Sequence, residues 1–261
     1  MLIYNIIAIF RKELQNYLGS PFAYIIAAVF WLISGFFFGF ILNDFIVNVA
    51  LQEQSGELTV PIDVPIQFLT GFLTIISSLL LVILPALSMG TYAEERRRGT
   101  LELLATSPVT NWSVAVGKLL GISGFFSILM LPLWIYQLIV FSASQPAVKW
   151  DVVLVANFGL FLLATAILSL GMFISSLTES SILAYILTFV LILFLWIMEA
   201  IASNISGNIG EVLSYLSLFD HYNNFSRGIL SPATLVLFGS YIFLGIYLTA
   251  QSIETLRFQR S

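Results

Sequence analysis

The sequence predicts an all-α polytopic membrane protein: six transmembrane helices, an N-terminal interfacial helix, a short cytoplasmic helix between spans 2 and 3, and re-entrant outer helices between spans 5 and 6. Three observations predict it. The 261 residues are 59% hydrophobic and only 9% charged, against about a quarter charged in an average globular chain, and the mean hydropathy is +1.00. Uncharged apolar runs recur that are long enough to cross a bilayer, which takes about 20 helical residues. The basic residues are unevenly placed between those runs, as the positive-inside rule requires of a multi-pass protein.

Residues 1–20 place Leu2, Ile6, Ile9, Phe10 and Leu14 close to one helical face, with Asn5, Arg11, Lys12, Gln15 and Asn16 mostly elsewhere. That pattern predicts a helix lying in the interface with its basic side at the headgroups; a plain extension of the first span is the other reading. Because Arg11 and Lys12 follow the apolar residues rather than precede them, the segment is not expected to be a cleavable leader. Gly19, Ser20 and Pro21 break it. Residues 22–42 form the first span, in which Gly35 and Gly39 make a small-xxx-small pair.

Asn43 to Pro65 carries Asp44, Glu53, Glu57 and Asp63 and no Lys or Arg, so it is expected outside. Residues 66–92 are the second span, kinked at Pro85, and 112–141 the third, containing Pro132. Residues 152–177 and 181–199 are the fourth and fifth spans. Residues 200–228 are too polar to cross, yet Ile205, Ile209, Val212, Leu213, Leu216 and Phe219 recur at helical spacing. This predicts one or two amphipathic helices lying in or re-entering the outer leaflet. Residues 229–253 are the sixth span. With both termini in the cytoplasm, the inner segments hold Arg11, Lys12, Arg96, Arg97, Arg98, Arg257 and Arg260, with Lys118 near the inner boundary. The outer segments hold only Lys149 and Arg227. The chain is therefore expected to be a multi-pass protein of the cell (inner) membrane.

No soluble catalytic domain of ordinary size fits beside six spans in this length, and the whole chain reads as one transmembrane domain. The absence of Cys excludes disulfides and thiolate chemistry. No basic tract points to nucleic acid.

Polar chemistry concentrates in Glu94–Lys118, which holds four of the ten basic residues and three of the fourteen acidic ones. Glu94 and Glu95 precede Arg97 and Arg98 in the order that favours helical ion pairs, so the second span should continue past the membrane. Gly99 stops it. Thr100 is expected to cap a new short helix with Glu102 in its first turn and Leu101, Leu103 and Leu104 as an apolar surface. Ser107 and Pro108 end that helix, and Thr110 or Asn111 caps the third span. Two readings remain at this level. The helix rests on the lipid interface with its arginines on phosphates, or it docks in the groove of a soluble protein.

The run E-E-R-R-R-G-T-L-E-L-L-A-T-S-P-V-T followed by Gly117-Lys118 resembles the cytoplasmic motif of type-2 ABC transporter permeases, the membrane subunits of ABC exporters. The likeness extends over nearly the whole chain. It includes Arg11-Lys12-Glu13-Leu14 closing the interfacial helix and Ser20-Pro21-Phe22-Ala23-Tyr24 opening the first span. Leu216-Ser217-Leu218-Phe219-Asp220-His221-Tyr222, with Phe225-Ser226-Arg227-Gly228-Ile229, is similar to the gliding-motility-type subgroup. The resemblance implies that residues 94–108 form the coupling region, with Thr100 to Ala105 as the coupling helix seated on an ATP-binding subunit present in two copies. Glu94, Glu95, Arg97 and Gly99 would form the hairpin leading to it, and Glu102 would help it dock. A second permease copy or a homologous permease would complete the assembly. The chain has no G-x-x-x-x-G-K-S/T loop, so no cofactor is expected on it: ATP and Mg belong to the partner, and the chain is not itself an enzyme. The cargo implied is amphipathic, lipid-like or glycan-linked. An ATP-independent channel or scaffold that binds a cytoplasmic regulatory protein is the alternative.

Outside that region Glu199, Asp220, His221 and Arg227 are candidates on the outer segment. Glu199 is expected in a polar cavity, paired with Arg227, or snorkelling to water. His221 beside Asp220 lacks further ligands at workable spacing, so a structural histidine is favoured over a metal site. Tyr136, Gln137, Asn157, Thr165, Ser169 and Thr188 are expected to make interhelical hydrogen bonds.

Overall fold

The computed structural model describes residues 2–55, 64–101, 109–144, 149–202, 204–205 and 207–258. Its helices in order are α1 (Leu2–Gly19), α2 (Pro21–Ser55), α3 (Val64–Ser88), α4 (Gly90–Arg97), α5 (Asn111–Ala143), α6 (Trp150–Leu177), α7 (Ser181–Ala202), α8 (Asn208–Leu216), α9 (Leu218–Ser226) and α10 (Pro232–Phe258). Six stretches are long and apolar enough to cross a membrane: α2, α3 continued by α4, α5, α6, α7 and α10. The protein is an all-α polytopic membrane protein.

α6 is the central helix, packed against α3, α4, α5, α7, α9 and α10 and buried from Val153 to Ser176 on the faces they cover. Its one strongly polar residue in the apolar interior, Asn157, exchanges hydrogen bonds with Gln137 of α5 at 2.6 and 3.3 Å and also donates to the Val153 carbonyl at 2.8 Å. In a low-dielectric interior an unpaired amide is costly, so this pair fixes the register of α5 on α6. Ser169 reaches the Tyr241 carbonyl of α10 at 3.3 Å, whereas Thr165 bonds only within its own helix.

α1 lies along α5, as the apolar face predicted for it requires, and the closest approach is at Gly121. A Cβ there would sit 2.5 Å from Glu13 Cβ, and one at Gly117 would sit 2.7 Å from Ile9 Cβ. Leu2, by contrast, faces outward together with Ile3, Tyr4 and Ile7, so α1 presents a second apolar side away from the bundle, suited to an interface.

Several expectations need adjustment. The first span does not end at Leu42. Nothing between Asn43 and Ser55 is a Gly or Pro, and the polar residues there sit on further helical turns of α2. The second span is interrupted at Met89, one turn beyond Pro85. In the glycine pair of α2 only Gly35 is used: a Cβ on it would meet the Tyr136 hydroxyl at 3.0 Å, whereas Gly39 faces open space.

The segment between α7 and α10 folds as two short helices, and α9 enters the bundle at the end opposite α4. Its Leu218, Phe219, Tyr222 and Phe225 are buried. Gly159 of α6 makes room for Phe225 (an added Cβ would lie 2.3 Å from it), and the Tyr222 hydroxyl reaches the Leu73 carbonyl of α3 at 3.4 Å.

Candidate functional site

The break between α3 and α4 exposes backbone N–H groups that lipid could not satisfy. Ser175 of α6 satisfies them. Its Oγ accepts from the Tyr92 and Ala93 N–H groups at 3.1 Å each and donates to the Met89 carbonyl at 2.8 Å. α4 is thereby fastened to the central helix at its start. At its other end the chain closes in a Schellman turn: Gly99 N–H bonds Arg96 O at 3.1 Å and Thr100 N–H bonds Glu95 O at 3.0 Å. Gly99 has φ +69°, a conformation that strains residues with a Cβ, so the glycine stops the helix where the sequence indicated.

Within α4 the acidic residues divide. Glu94 pairs with Arg98 at 3.5 Å across one turn, as the spacing predicts. Glu95 instead turns inward to Lys118 at 2.9 Å, with Lys12 at 3.9 Å. Lys118 is only 2% exposed. Its Nζ also reaches Glu13 of α1 at 3.1 Å and the Thr91 carbonyl at 3.0 Å, which uses all three of its donors. The Tyr92 ring lies beneath it, 4.9 Å from Nζ to centroid. One buried cation therefore ties α1, α4 and α5 together. Tyr17 adds a second tie from α1 to α3, donating to the Leu87 carbonyl at 2.9 Å, and burial pushes the pKa of its hydroxyl up, which keeps it a neutral donor.

Sequence reasoning placed Lys118 at a boundary and named Glu13 only within a motif. The signal was present, however. Glu13 falls on the α1 face of Ile6, Ile9, Phe10 and Tyr17, and a carboxylate in an apolar stripe demands a buried partner. Arg96 was also missed: it bonds the Ser176 carbonyl at 3.0 Å and lies 3.5 Å from Glu179, linking α4 to the turn after α6. Arg97 is exposed.

One expectation about the following segment is corrected. Leu101 does not contribute to an outward apolar surface. It is 7% exposed and belongs to the protein's own core, because the turn at Gly99 directs the chain back onto the bundle. The Thr100 hydroxyl donates backward to the Glu95 carbonyl at 3.2 Å, closing α4, and the cap expected of it toward the next helix involves residues outside those described. Glu102, Leu103, Leu104 and Pro108 lie outside the described residues. α5 is capped by Thr110, whose Oγ1 accepts from the Ser113 N–H at 3.3 Å.

A cavity of about 450 Å³ opens beside this cluster. Lys12, Glu13, Glu94, Glu95, Arg98 and Lys118 form its charged wall, and Phe22, Ala23, Ile26, Ala86 and Leu87 its apolar one. Its charges are matched in pairs, so the wall attracts neither sign strongly.

At the opposite end His221 bridges elements rather than binding a ligand: its Nδ1 lies 3.2 Å from Thr234 Oγ1 and its Nε2 3.0 Å from the Tyr215 carbonyl. Asp220 accepts from Ser214 Oγ at 3.1 Å. Among the described residues no group of three or more His, Cys, Asp and Glu side chains converges as metal ligands would. The side chain of Glu199 is outside what is described. Arg227 is exposed at the C-terminal end of α9, and among the described residues no carboxylate pairs with it.

A family model described as ABC-2 family transporter protein matches residues 7–260, nearly the whole chain. No curated protein matches the sequence.

Proposed function

The chain belongs to the ABC-2 transporter family, the membrane component of an ABC transporter that works with an ABC ATP-binding subunit, and we propose that it is the permease of an ATP-driven exporter of amphipathic cargo. ATP is hydrolysed on the partner, which docks at residues 94–108. Two permeases, identical or homologous, pair with two ATP-binding subunits. Both termini lie in the cytoplasm of the cell (inner) membrane, and residues 216–229 favour the gliding-motility-type subgroup.

The observation that supports this reading best is the wiring of α4. A docking element must pass movement to the spans rather than flex alone. α4 is bonded at its start to α6 through Ser175, on its flank to α1 and α5 through Lys118, and at its end to the α6–α7 turn through Arg96. A push on residues after Gly99 reaches α1, α5 and α6 through short contacts. Glu94, Glu95, Arg97, Gly99 and Thr100 act as the stem of the lever. Leu103 and Leu104 make the contact with the partner, Glu102 helps it dock, and Pro108 ends the coupling region.

Affinity purification of the tagged permease tests this. An ATP-binding subunit should copurify, and replacing Leu103 and Leu104 with Asp should reduce its recovery by about tenfold or more, since burying a carboxylate in an apolar contact is expensive. Unchanged recovery would remove the docking assignment, and a permease that purifies without any ATP-binding subunit would favour the channel or scaffold reading.

A further inference from the structure

The outward faces of the membrane-crossing helices are not alike. α2 turns out Ile25, Leu32, Phe36 and Phe40, α7 turns out Ile182, Ile186, Val190 and Phe194, and α10 turns out Val236 and Phe243. These are faces made for lipid. The outward face of α3 is different. Gln67, Gly71, Thr74 and Ser78 are exposed and Thr70 is half-buried, while Phe68, Leu69, Phe72, Leu73 and Ile76 on the other side are buried. The spacing i, i+3, i+4, i+7, i+11 makes one continuous stripe, about 16 Å long at the helical rise per residue, or about half the hydrocarbon thickness.

The stripe leads to a cavity of about 500 Å³ between α2, α3 and α9, lined by Phe45, Gln67, Thr70, Gly71, Thr74, Asn223, Ser226 and Arg227. The hydroxyls of the stripe and the cavity already donate to their own backbone: Thr70 to Ile66 O at 3.0 Å, Thr74 to Thr70 O at 2.7 Å, Ser78 to Thr74 O at 3.0 Å and Ser226 to Asn223 O at 2.8 Å. They therefore present lone pairs, ready to accept from a hydroxylated ligand. Arg227 presents the opposite chemistry. Among the described residues nothing accepts from its guanidinium, and the helix end that carries it is held in place by Gly228, whose N–H bonds Phe225 O at 2.8 Å while Ile229 N–H bonds Asn224 O at 3.0 Å. An unneutralised guanidinium carried on a fixed helix end beside a row of acceptors, open to lipid along α3, matches an anionic headgroup that also carries hydroxyls.

We propose that this groove binds the anionic, hydroxyl-bearing headgroup of an amphiphile, with phosphate or carboxylate on Arg227, hydroxyls against Gln67, Thr70 and Thr74, and the apolar tail running into the bilayer beside α3. The proposal rests on the exporter reading and narrows its cargo class. The same headgroup chemistry is available from a membrane lipid, so the test uses one.

The complete complex, purified in detergent, is titrated with phosphatidylglycerol and separately with phosphatidylcholine, and retained lipid is measured by native mass spectrometry. Wild type should prefer phosphatidylglycerol by about tenfold or more, because both lipids carry a phosphodiester but the choline cation neutralises the headgroup of phosphatidylcholine and offers no hydroxyl to Gln67, Thr70 and Thr74. Arg227→Gln should abolish the preference, and Arg227→Lys should restore part of it. Gly71→Leu, whose added Cβ meets no atom within 4 Å, should fold normally, fill the groove and lower retention of the lipid itself. Inorganic phosphate as competitor separates the sources: displacement of the lipid at millimolar phosphate would mean a free-phosphate site and overturn the amphiphile, whereas persistence of the lipid supports it. Equal retention by wild type and Arg227→Gln would overturn the site. A changed permease stoichiometry in Gly71→Leu with lipid retention intact would overturn it in favour of a protein interface. The ATP-binding subunit is scored in the same spectra. Its absence from wild type counts against the exporter reading, and its presence without any anionic preference counts against the groove alone.

Discussion

Two helices at opposite ends of the bundle terminate in the same way and serve opposite ends chemically. α4 and α9 each finish with an arginine at the C-cap and a glycine in the left-handed conformation, Arg98-Gly99 and Arg227-Gly228, closed by the same pair of backbone hydrogen bonds. Around the first turn most of the nearby charges are matched, Arg98 with Glu94, Arg96 with Glu179, and Lys118 with Glu13 and Glu95, while Arg97 is exposed. Around the second, among the described residues, Arg227 is matched by none. The comparison teaches how to separate structural from functional charge in a membrane protein. A cation whose donors are all used holds helices together, whereas one whose donors are left open on a fixed helix end is available to something that is not part of the chain.

The largest effect expected from breaking this contrast is at Lys118. Lys118→Met leaves Glu13 and Glu95 facing each other without their cation, and removing one partner of a buried pair costs about 3–5 kcal/mol. The variant should melt markedly lower in detergent by intrinsic fluorescence. Restoring stability with Glu13→Gln in the same chain would confirm that the lost stability is electrostatic, and no recovery would place it in packing instead. Next is Ser175→Ala, which strips the N–H groups of Tyr92 and Ala93 of their acceptor. Orphaned buried donors cost about 1–3 kcal/mol, and hydrogen exchange should rise in α4 before it rises in α6. Smaller again is Gly99→Ala, for which forcing a Cβ into the left-handed region costs about 1 kcal/mol. Its consequence should be seen in copurification of the ATP-binding subunit more than in melting temperature. The smallest stability change belongs to Arg227→Gln, within about 0.5 kcal/mol of wild type as for an exposed position. A large loss of stability there would mean that Arg227 is structural after all and would dissolve the comparison.

Much of this was legible before any coordinates. The six spans follow from run length and hydropathy, the stop at Gly99 from a glycine placed after a charged helical turn, and the Thr110 cap from a hydroxyl before an uninterrupted apolar run. One or two short helices between α7 and α10 are expected from the spacing of Val212, Leu213, Leu216 and Phe219, and the described residues there form two. What was misread shares one property. Leu101 was assigned to an outward surface because a leucine after a cap usually continues an amphipathic pattern, yet the direction in which the chain leaves the Gly99 turn decides its fate. Lys118 looked like a boundary residue because nothing local distinguishes a snorkelling lysine from one whose partners lie on other helices.

The sequence by itself determined the membrane class, the number of spans, and the stop at Gly99, because those depend on hydration of consecutive residues and on backbone groups within one turn of each other. Only the tertiary structure decided which polar residues are consumed internally. Glu13 and Lys118 are 105 positions apart, Ser175 caps a helix 83 positions earlier, and the polar stripe of α3 was turned outward by the packing of its phenylalanines on the core. Those outcomes depend on which helix faces meet, a question of packing between distant segments that no local pattern contains.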